Sequence, residues 1–302
     1  MATVAITHHE DIATAMQDAL NLLHIADLVS GKLVAVKPNE TWASPEDTTA
    51  VTQPDTLRAV LRYLKQFQPK ELVVTGGAGA GETEDICEIA GLMAVVREEG
   101  VRFFDHNRPP FTAIPLAYAP DRDVAGPQHR VMVNPGVLEY DTLIAVNQLK
   151  VHETATVTLG LKNIAMSYPA ADYYGHPRGS AQHQHDFFTD MHSFIAAMAK
   201  RFPIALSITV GHPAMIGTGP IGGYTFETGL VMASRDPLAC DTVGARLLGF
   251  RPQAVHHLWE AGRLGLGETE LAQMAFPGLA MQEAVAVFSQ AAYGKTISLE
   301  HA

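Results

Sequence analysis

The sequence has only two cysteines, Cys87 and Cys240, among its 302 residues. They lie far apart in the chain and each falls within a helical pattern, so we interpret them as small buried thiols. A four-cysteine iron–sulfur cluster is therefore excluded. No HExxH or other closely spaced metal signature is present, so a metal site would have to draw on more dispersed residues.

Long apolar runs and an excess of basic charge are also missing. No hydrophobic run approaches the roughly 18 residues of a membrane helix, and the first residues lack the basic and apolar segments of a signal peptide. The formal net charge of −11 disfavours nucleic acid and anionic membranes as partners, because both bind basic surfaces. We therefore expect a cytoplasmic protein with neither partner, and a homodimer stays open.

Short apolar runs do alternate with segments of helical spacing. Runs at 33–36, 72–75, 142–146 and 204–210 predict the strands of the main sheet, and runs at 101–104, 130–133 and 229–234 predict further strands. The alternation favours an α/β fold with a mostly parallel sheet flanked by helices in Rossmann-like layers, because a strand–helix–strand unit forms a right-handed parallel crossover. We expect a single domain over residues 1–302. The alternative is two lobes that share a cleft and divide near residues 123–135.

The most informative polar stretch follows the third of these runs. It contains Asn147, Lys150 and His152, and the next segment adds Lys162 and Asn163. Side chains just past the carboxyl end of a strand line the ligand crevice of an open α/β sheet. Lys150 and Lys162 therefore predict a positive pocket for a carboxylate or phosphate, with His152 as a general acid or base. Two solvated lysines in a loop are the alternative, and the spacing alone gives both equal weight.

Lys162 is the residue that we expect to be central to anion binding. The segment Thr158-Leu-Gly160-Leu-Lys162 indicates the start of a helix, with Thr156 or Thr158 as its cap. A lysine in the first turn would add its charge to the unpaired backbone N–H donors of the helix N-terminus. Gly160 would allow a ligand to approach the backbone closely.

Two glycine-rich loops raise the question of a nucleotide site. Gly76 and Gly77 open a loop between a strand and a helix, where backbone N–H groups could cradle an anion. This loop lacks the Lys-Ser/Thr ending of a P-loop, so a plain turn is the alternative. Gly217 and Gly219 belong to a GxGxxG match that contains a proline and precedes no clear helix. We reject a dinucleotide site there and keep a tight active-site loop.

A group of histidines predicts a candidate metal site. His176, His183, His185 and Asp186 lie close together in the chain, and imidazole with carboxylate suits zinc, iron or nickel. We expect a helix from about residue 186 to 201 that starts at the cleft and presents His185, Asp186 or His192 toward it. The alternative is surface histidines, with the acids stabilising the helix N-terminus through its dipole.

Taken in order, these pieces resemble the uncharacterised family called "domain of unknown function 362". The matching motifs are Lys37-Pro-Asn39, Asn147-x-x-Lys150-x-His152, Thr158-x-x-x-Lys162-Asn163, His176, Gly217-x-Gly219-Pro220 and Asp236-Pro-x-Ala-x-Asp241. The resemblance covers about residues 30–265 and implies an α/β protein with Lys37, Asn39 and Asp241 among its motif positions. It implies no reaction, because the family name records none. From the sequence itself, Asp236 is predicted to cap a helix, and Asp241 either has a structural role or reaches a lysine of the cleft.

Two departures from the family pattern bear on a redox or metal role. Many members carry a cysteine-rich ferredoxin module, which two cysteines cannot supply. Members also tend to place an acid at the end of the strand before the Gly-x-Gly-Pro loop, where this chain has Val210, Gly211 and His212. If that acid is a metal ligand in relatives, this chain uses another residue such as His212, or binds no metal.

We weigh two functions from different classes. The first is an enzyme that binds a small anionic substrate through a Lys/His/Asn cleft, with a divalent metal as added Lewis acid. The second is a non-catalytic binding or carrier protein for an anionic metabolite, cofactor or metal complex. We favour the enzyme, with His152, Lys150 and Lys162 as catalytic residues. The predicted ligand-binding residues are Lys37, Asn39, Gly76, Gly77, Asn147, Asn163, Gly217, Gly219 and Asp241.

Overall fold

The apolar runs form a central sheet in the computed structural model of this protein, which describes residues 1–119, 129–175 and 190–297. The strands are β1 (Ala2–Thr3), β2 (Ala5–His8), β3 (Leu33–Pro38), β4 (Glu71–Gly76), β5 (Arg102–Asp105), β6 (Thr112–Pro115), β7 (Arg130–Val133), β8 (Thr142–His152), β9 (Thr156–Val157), β10 (Leu206–Ile216), β11 (Tyr224–Phe226), β12 (Leu230–Ser234) and β13 (Met274–Ala275). The helices are α1 (Ile12–Asn21), α2 (Ala26–Val29), α3 (Pro54–Lys65), α4 (Thr83–Ile89), α5 (Leu92–Glu98), α6 (Leu159–Ala165), α7 (Ala171–Tyr174), α8 (Met191–Arg201), α9 (Pro237–Leu247), α10 (His256–Arg263) and α11 (Met281–Tyr293). The predicted α/β class is confirmed.

Nine strands of the described chain form the central sheet. Their order is β2-β12-β10-β8-β3-β4-β5, with β11 paired to β10 and β9 paired to β8. Strands β10, β8, β3, β4 and β5 run parallel to one another. All four runs that the sequence predicted as strands of the main sheet lie in this parallel part, so their carboxyl ends meet at one edge of the sheet.

The sheet as a whole is mixed, so the prediction of a mostly parallel sheet is wrong. Strand β12 pairs antiparallel with both β10 and β2. The short strands β9 and β11 also pair antiparallel with their neighbours. Strand β2 lies near the beginning of the chain and β12 far along it, and no local spacing signals such a pairing. The Rossmann-like detail of the prediction is not confirmed.

Apolar side chains pack on both faces of the sheet. Successive strand residues alternate between the faces, with Ala35 and Ala145 in one cluster and Val34 and Ile144 in the other, as the strand period of two requires. Helices α6, α8, α9 and α10 contribute to the first cluster, and α1, α3 and α5 to the second. Full burial of one such aliphatic side chain contributes roughly 1.5–3 kcal/mol, which makes this sheet a rigid support for groups at its edge.

Strand β8 is longer than the sequence predicted. It continues past Val146 to His152, and all 11 of its residues are buried. Its neighbour β3 ends at Pro38, which pairs with Val146. The polar half of β8 therefore extends beyond the end of β3, beside β10. The alternative of solvated lysines in a loop is excluded for Lys150, since this residue lies in a buried strand.

Candidate functional site

Several predicted site residues meet at the carboxyl edge of the parallel strands. Lys37 pairs with Ala145 in the register of β3 and β8, and Asn147 pairs with Thr209 in the register of β8 and β10. Gly76 ends β4, the next strand along. These positions lie side by side on four adjacent parallel strands, where β3 and β4 end and β8 and β10 continue.

A chain of buried hydrogen bonds starts at Lys37. Its Nζ donates to Pro38 O at 2.7 Å and to Asn163 Oδ1 at 3.2 Å, and it forms an ion pair with Glu40. Asn163 Nδ2 in turn donates to Asn147 Oδ1 at 2.9 Å. The Lys37 and Glu40 side chains are each 1% exposed. Three residues predicted to bind ligand are therefore joined directly, and Glu40 completes the group.

Glu40 connects this chain to residues that the sequence did not single out. Its Oε1 accepts from Gly77 N at 2.9 Å and from Ser167 Oγ at 3.3 Å. Ser167 Oγ lies 3.0 Å from His106 Nε2, and His106 Nδ1 lies 2.9 Å from Thr75 Oγ1. His106 is completely buried. The network therefore crosses the site from Asn147 on β8 to His106, the residue after β5, and every link in it is a polar side chain.

Two of these residues had a usable signal in the sequence. Glu40 follows the Lys37-Pro-Asn39 motif directly, and His106 comes immediately after strand β5. The rule that predicted Asn147, a polar residue just past a parallel strand, applies equally to His106. Ser167 had no such signal, because it follows the short helix α6 and reaches the site only through tertiary packing.

Lys150 and Lys162 are buried without a carboxylate partner in the part of the chain that the structure describes. Lys150 is 1% exposed and donates from Nζ to the Ala50 carbonyl, while Lys162 is 7% exposed. Burial lowers the pKa of Lys162 to about 7. Burial also lowers the pKa of Lys150 to about 7, with the charges of Lys162 and Lys37 acting in the same direction and Glu40 opposing them. Both amines therefore titrate near neutral pH.

Four buried polar atoms around the site have no hydrogen-bond partner among the described residues. They are Asn39 Oδ1, Gln148 Oε1, Thr158 Oγ1 and Tyr168 Oη. Buried polar groups in native proteins are nearly all hydrogen-bonded, since leaving one unpaired costs about 1–3 kcal/mol. Such a concentration is typical of a site that a ligand or ordered water completes.

The helix that carries Lys162 is capped by Asp241 and not by a threonine. Asp241 Oδ1 and Oδ2 accept from Gly160 N and Leu161 N, both at 2.8 Å, while Thr158 makes no side-chain cap bond. The predicted use of free N–H donors at this helix end is therefore wrong for these two amides. Burial raises the pKa of Asp241 to about 7, although both amides act to lower it.

His152 ends β8 with a defined hydrogen-bond pattern at one ring nitrogen. Its Nδ1 accepts from the backbone N–H groups of Thr154 and Ala155, at 3.1 and 3.2 Å. A nitrogen that accepts hydrogen bonds carries no proton, so the neutral ring holds its proton on Nε2. His152 is 4% exposed and so lies inside the molecule together with the lysines.

The glycines of the two loops are required by neighbouring protein atoms. A Cβ on Gly77 would lie 2.0 Å from His106 Nε2, and one on Gly219 would lie 2.2 Å from the Val151 carbonyl oxygen. Gly217 has a φ of 82°, which favours glycine. These contacts explain the glycines by close packing of the network and of β8. Ligand binding by Gly76, Gly77, Gly217 and Gly219 stays a prediction.

The predicted metal ligands His176, His183, His185 and Asp186 lie outside the described residues. Within residues 1–119, 129–175 and 190–297, no three His, Cys, Asp or Glu side chains are placed to hold a metal ion. His212 is engaged at both ring nitrogens, with Asp55 Oδ2 at 2.9 Å and Glu227 Oε2 at 2.5 Å. The hydrogen bond to Asp55 is the main cause that raises the His212 pKa to about 9. In this arrangement carboxylates occupy both ring nitrogens of His212.

His192 lies in helix α8, which begins at Met191 rather than at the predicted residue 186. Its ring stacks on His257 with centroids 5.6 Å apart and lies 5.1 Å from the ring of His256. Burial lowers the pKa of His192 and of His257. The charge of Lys162 lowers both further, so these histidines belong to the surroundings of that amine.

Comparison with known protein families gives a match over most of the chain. The family model described as "Domain of unknown function (DUF362)" matches residues 34–246. The chain therefore belongs to this family, and the resemblance seen in the sequence is confirmed.

One relative and one solved structure extend the comparison. A thylakoid-associated protein of Synechocystis sp. is 25% identical over 250 residues, which cover 82% of this chain and 72% of the relative. A crystal structure of a Thermotoga maritima protein matches with 14% identity and a TM-score of 0.47. That match covers 79% of this chain, and this chain spans 58% of the length of the Thermotoga protein. No helix in the described ranges has the length and apolar character needed to cross a membrane.

Proposed function

We propose that this chain is an enzyme that acts on a small anionic substrate, a carboxylate or phosphate, at the carboxyl edge of its sheet. The observation that carries the proposal is the burial of Lys150 and Lys162 with no carboxylate among the described residues to pair with them. A buried ammonium without a counter-charge costs several kcal/mol. A bound anion supplies that counter-charge, and its oxygens accept from both amines.

Groups that titrate near neutral pH favour an enzyme over a carrier. Burial lowers the pKa of Lys150 and Lys162 to about 7, and the site also holds His152. Perturbed titration of this kind is common where protons are transferred, whereas a carrier needs only fixed charges. Metal assistance by His176, His183, His185 and Asp186 remains a prediction from the sequence, as does the cytoplasmic location.

The proposal is tested by calorimetric titration with inorganic phosphate and with malonate at pH 6. We expect saturable binding of at least one of them. Lys150→Met should weaken this binding by about 10- to 100-fold, because a charge-assisted hydrogen bond is worth about 1.5–3 kcal/mol. The matched control is Lys70→Met, which removes an exposed lysine and should leave the affinity unchanged. Absence of binding, or equal affinity in the Lys150 variant, would contradict the proposal.

A further inference from the structure

Lys162 differs from the other two buried lysines in what its amine contacts. Lys37 Nζ is held by Glu40, and Lys150 Nζ donates to the Ala50 carbonyl. In the described part of the chain, no acceptor or carboxylate holds the amine of Lys162. An amine with no acceptor among these residues can offer a ligand its protons when it is charged and its lone pair when it is neutral. Of the three buried lysines, Lys162 is therefore the one whose amine a ligand can reach without displacing a partner among the described residues.

Burial gives this amine the protonation state that a nucleophile needs. An ammonium ion has no lone pair, so a reactive lysine must be neutral at the working pH. Burial lowers the pKa of Lys162 to about 7, so roughly half of the amine is neutral at that pH. For a lysine with an ordinary pKa near 10.4, fewer than about one in a thousand is neutral there.

Two histidines near Lys162 have ring nitrogens that no described residue hydrogen-bonds. Helix α8 packs against both α6 and α10, which places His192 and His257 in the surroundings of Lys162. His257 is completely buried, and within residues 1–119, 129–175 and 190–297 neither of its ring nitrogens has a hydrogen-bond partner; His192 Nδ1 has none there either. Burial is the main cause that lowers the pKa of both rings, and the neighbouring histidine side chains lower it further. Neutral imidazoles can accept a proton and return it, which addition to a carbonyl requires.

The backbone that carries Lys162 is held in an unusual conformation. Leu159, the first residue of α6, has a φ of 45°, and Thr156 has a φ of 69°. Left-handed conformations in branched, non-glycine residues cost about 1–3 kcal/mol and concentrate at functional sites. Asp241 holds the start of the helix through the Gly160 and Leu161 amides. The position of Lys162 is thus fixed by contacts that local sequence preference would not produce.

We propose that Lys162 is a nucleophile that forms an imine with a small aldehyde or ketone carrying a carboxylate or phosphate group. The Nζ lone pair adds to the carbonyl carbon, and a neutral imidazole takes one proton from the nitrogen and delivers it to the oxygen, which gives the carbinolamine. The imidazole then takes the second N–H proton and delivers it to the hydroxyl group, which leaves as water while the C=N bond forms. In total, the amine and the carbonyl compound give the imine and water, and no oxidant or reductant takes part. The anionic group of this substrate rests on the proposed function, with Lys150 as its partner.

The test is reductive trapping with glyoxylate and cyanoborohydride at pH 7, followed by mass spectrometry of proteolytic peptides. The wild-type protein should be labelled at Lys162 on the order of 100-fold faster than at the exposed Lys70, because far more of the buried amine is neutral. His257→Gln should slow labelling of Lys162 without changing that of Lys70. Mapping the label on the wild-type chain makes the result independent of whether any variant folds.

The outcomes separate this inference from the proposed function. If phosphate or malonate binds but Lys162 is not preferentially labelled, imine formation at Lys162 is contradicted and the proposed anion site is supported. If the uncharged propionaldehyde labels Lys162 equally fast, the result would support Lys162 as a nucleophile and would contradict an anionic substrate. Preferential labelling of Lys150, or equal rates at Lys162 and Lys70, would overturn the assignment of Lys162.

Discussion

Glu40→Ala is expected to lower the free energy of unfolding by about 3–5 kcal/mol, the usual cost of removing one partner of a buried ion pair. Glu40 is 1% exposed and carries the counter-charge of Lys37. It also accepts from Gly77 N and Ser167 Oγ. The variant leaves a buried ammonium and two donors without this carboxylate. Chemical denaturation at pH 7 measures the loss.

A double variant shows whether the ion pair is the cause. Lys37→Met combined with Glu40→Ala removes both charges and should recover part of the loss, because no uncompensated charge remains. Glu46→Ala removes an exposed carboxylate and should change stability by less than about 0.5 kcal/mol. A Glu40→Ala variant within about 1 kcal/mol of wild type would show that Lys37 does not depend on this partner.

Lys162→Met is expected to stabilise the fold by about 2–4 kcal/mol at pH 6, because it removes a buried ammonium. The pKa of Lys162 is about 7 in the folded chain and near 10.4 in the unfolded chain. Between these values the unfolded chain binds a proton that the folded chain does not, so the penalty from Lys162 decreases as pH rises. The gain in free energy of unfolding of Lys162→Met over wild type should therefore be largest below pH 7 and should vanish by about pH 10.

Denaturation of wild type and Lys162→Met across pH 6–10 measures this difference. Lys70→Met serves as the control, since an exposed lysine has no burial penalty that changes over this range. A Lys162→Met variant that is less stable than wild type at pH 6 would mean that the ammonium is satisfied in the free protein. The electrostatic basis of the anion site would then be absent.

The sequence predicted the parallel part of the sheet because each of its strands is an apolar run followed by polar or glycine residues. Lys37 and Asn147, each directly after one of these apolar runs, lie at one edge of the sheet for the same reason. The prediction ended β8 at Val146 because the residues that follow are polar, and a polar run in a single sequence indicates a loop. Strand β8 instead keeps these side chains buried through His152, where other parts of the chain supply their partners.

Distant partners also explain why the cap of α6 was missed. Thr158 lies at the correct position for a cap, but the carboxylate of Asp241, in helix α9, occupies the amides instead. Near the start of α3, the Thr52 hydroxyl likewise bonds to distant backbone groups: it accepts from Asn39 N and donates to the Val146 carbonyl. Local motifs describe what a segment can do, whereas tertiary contacts decide which of those options is used.

Proton uptake on anion binding tests the central claim most directly. Calorimetric titration with malonate at pH 8, repeated in two amine buffers of different ionisation enthalpy, gives the number of protons bound with the anion. We expect about one to two protons per malonate at pH 8, because Lys150 and Lys162, each with a pKa of about 7, are largely neutral before binding and charged after it. At pH 5.5, where both lysines are already charged, the protein should take up almost no proton once the proton that malonate itself releases is subtracted. Malonate binding at pH 8 without proton uptake, or no binding at either pH, would contradict the account.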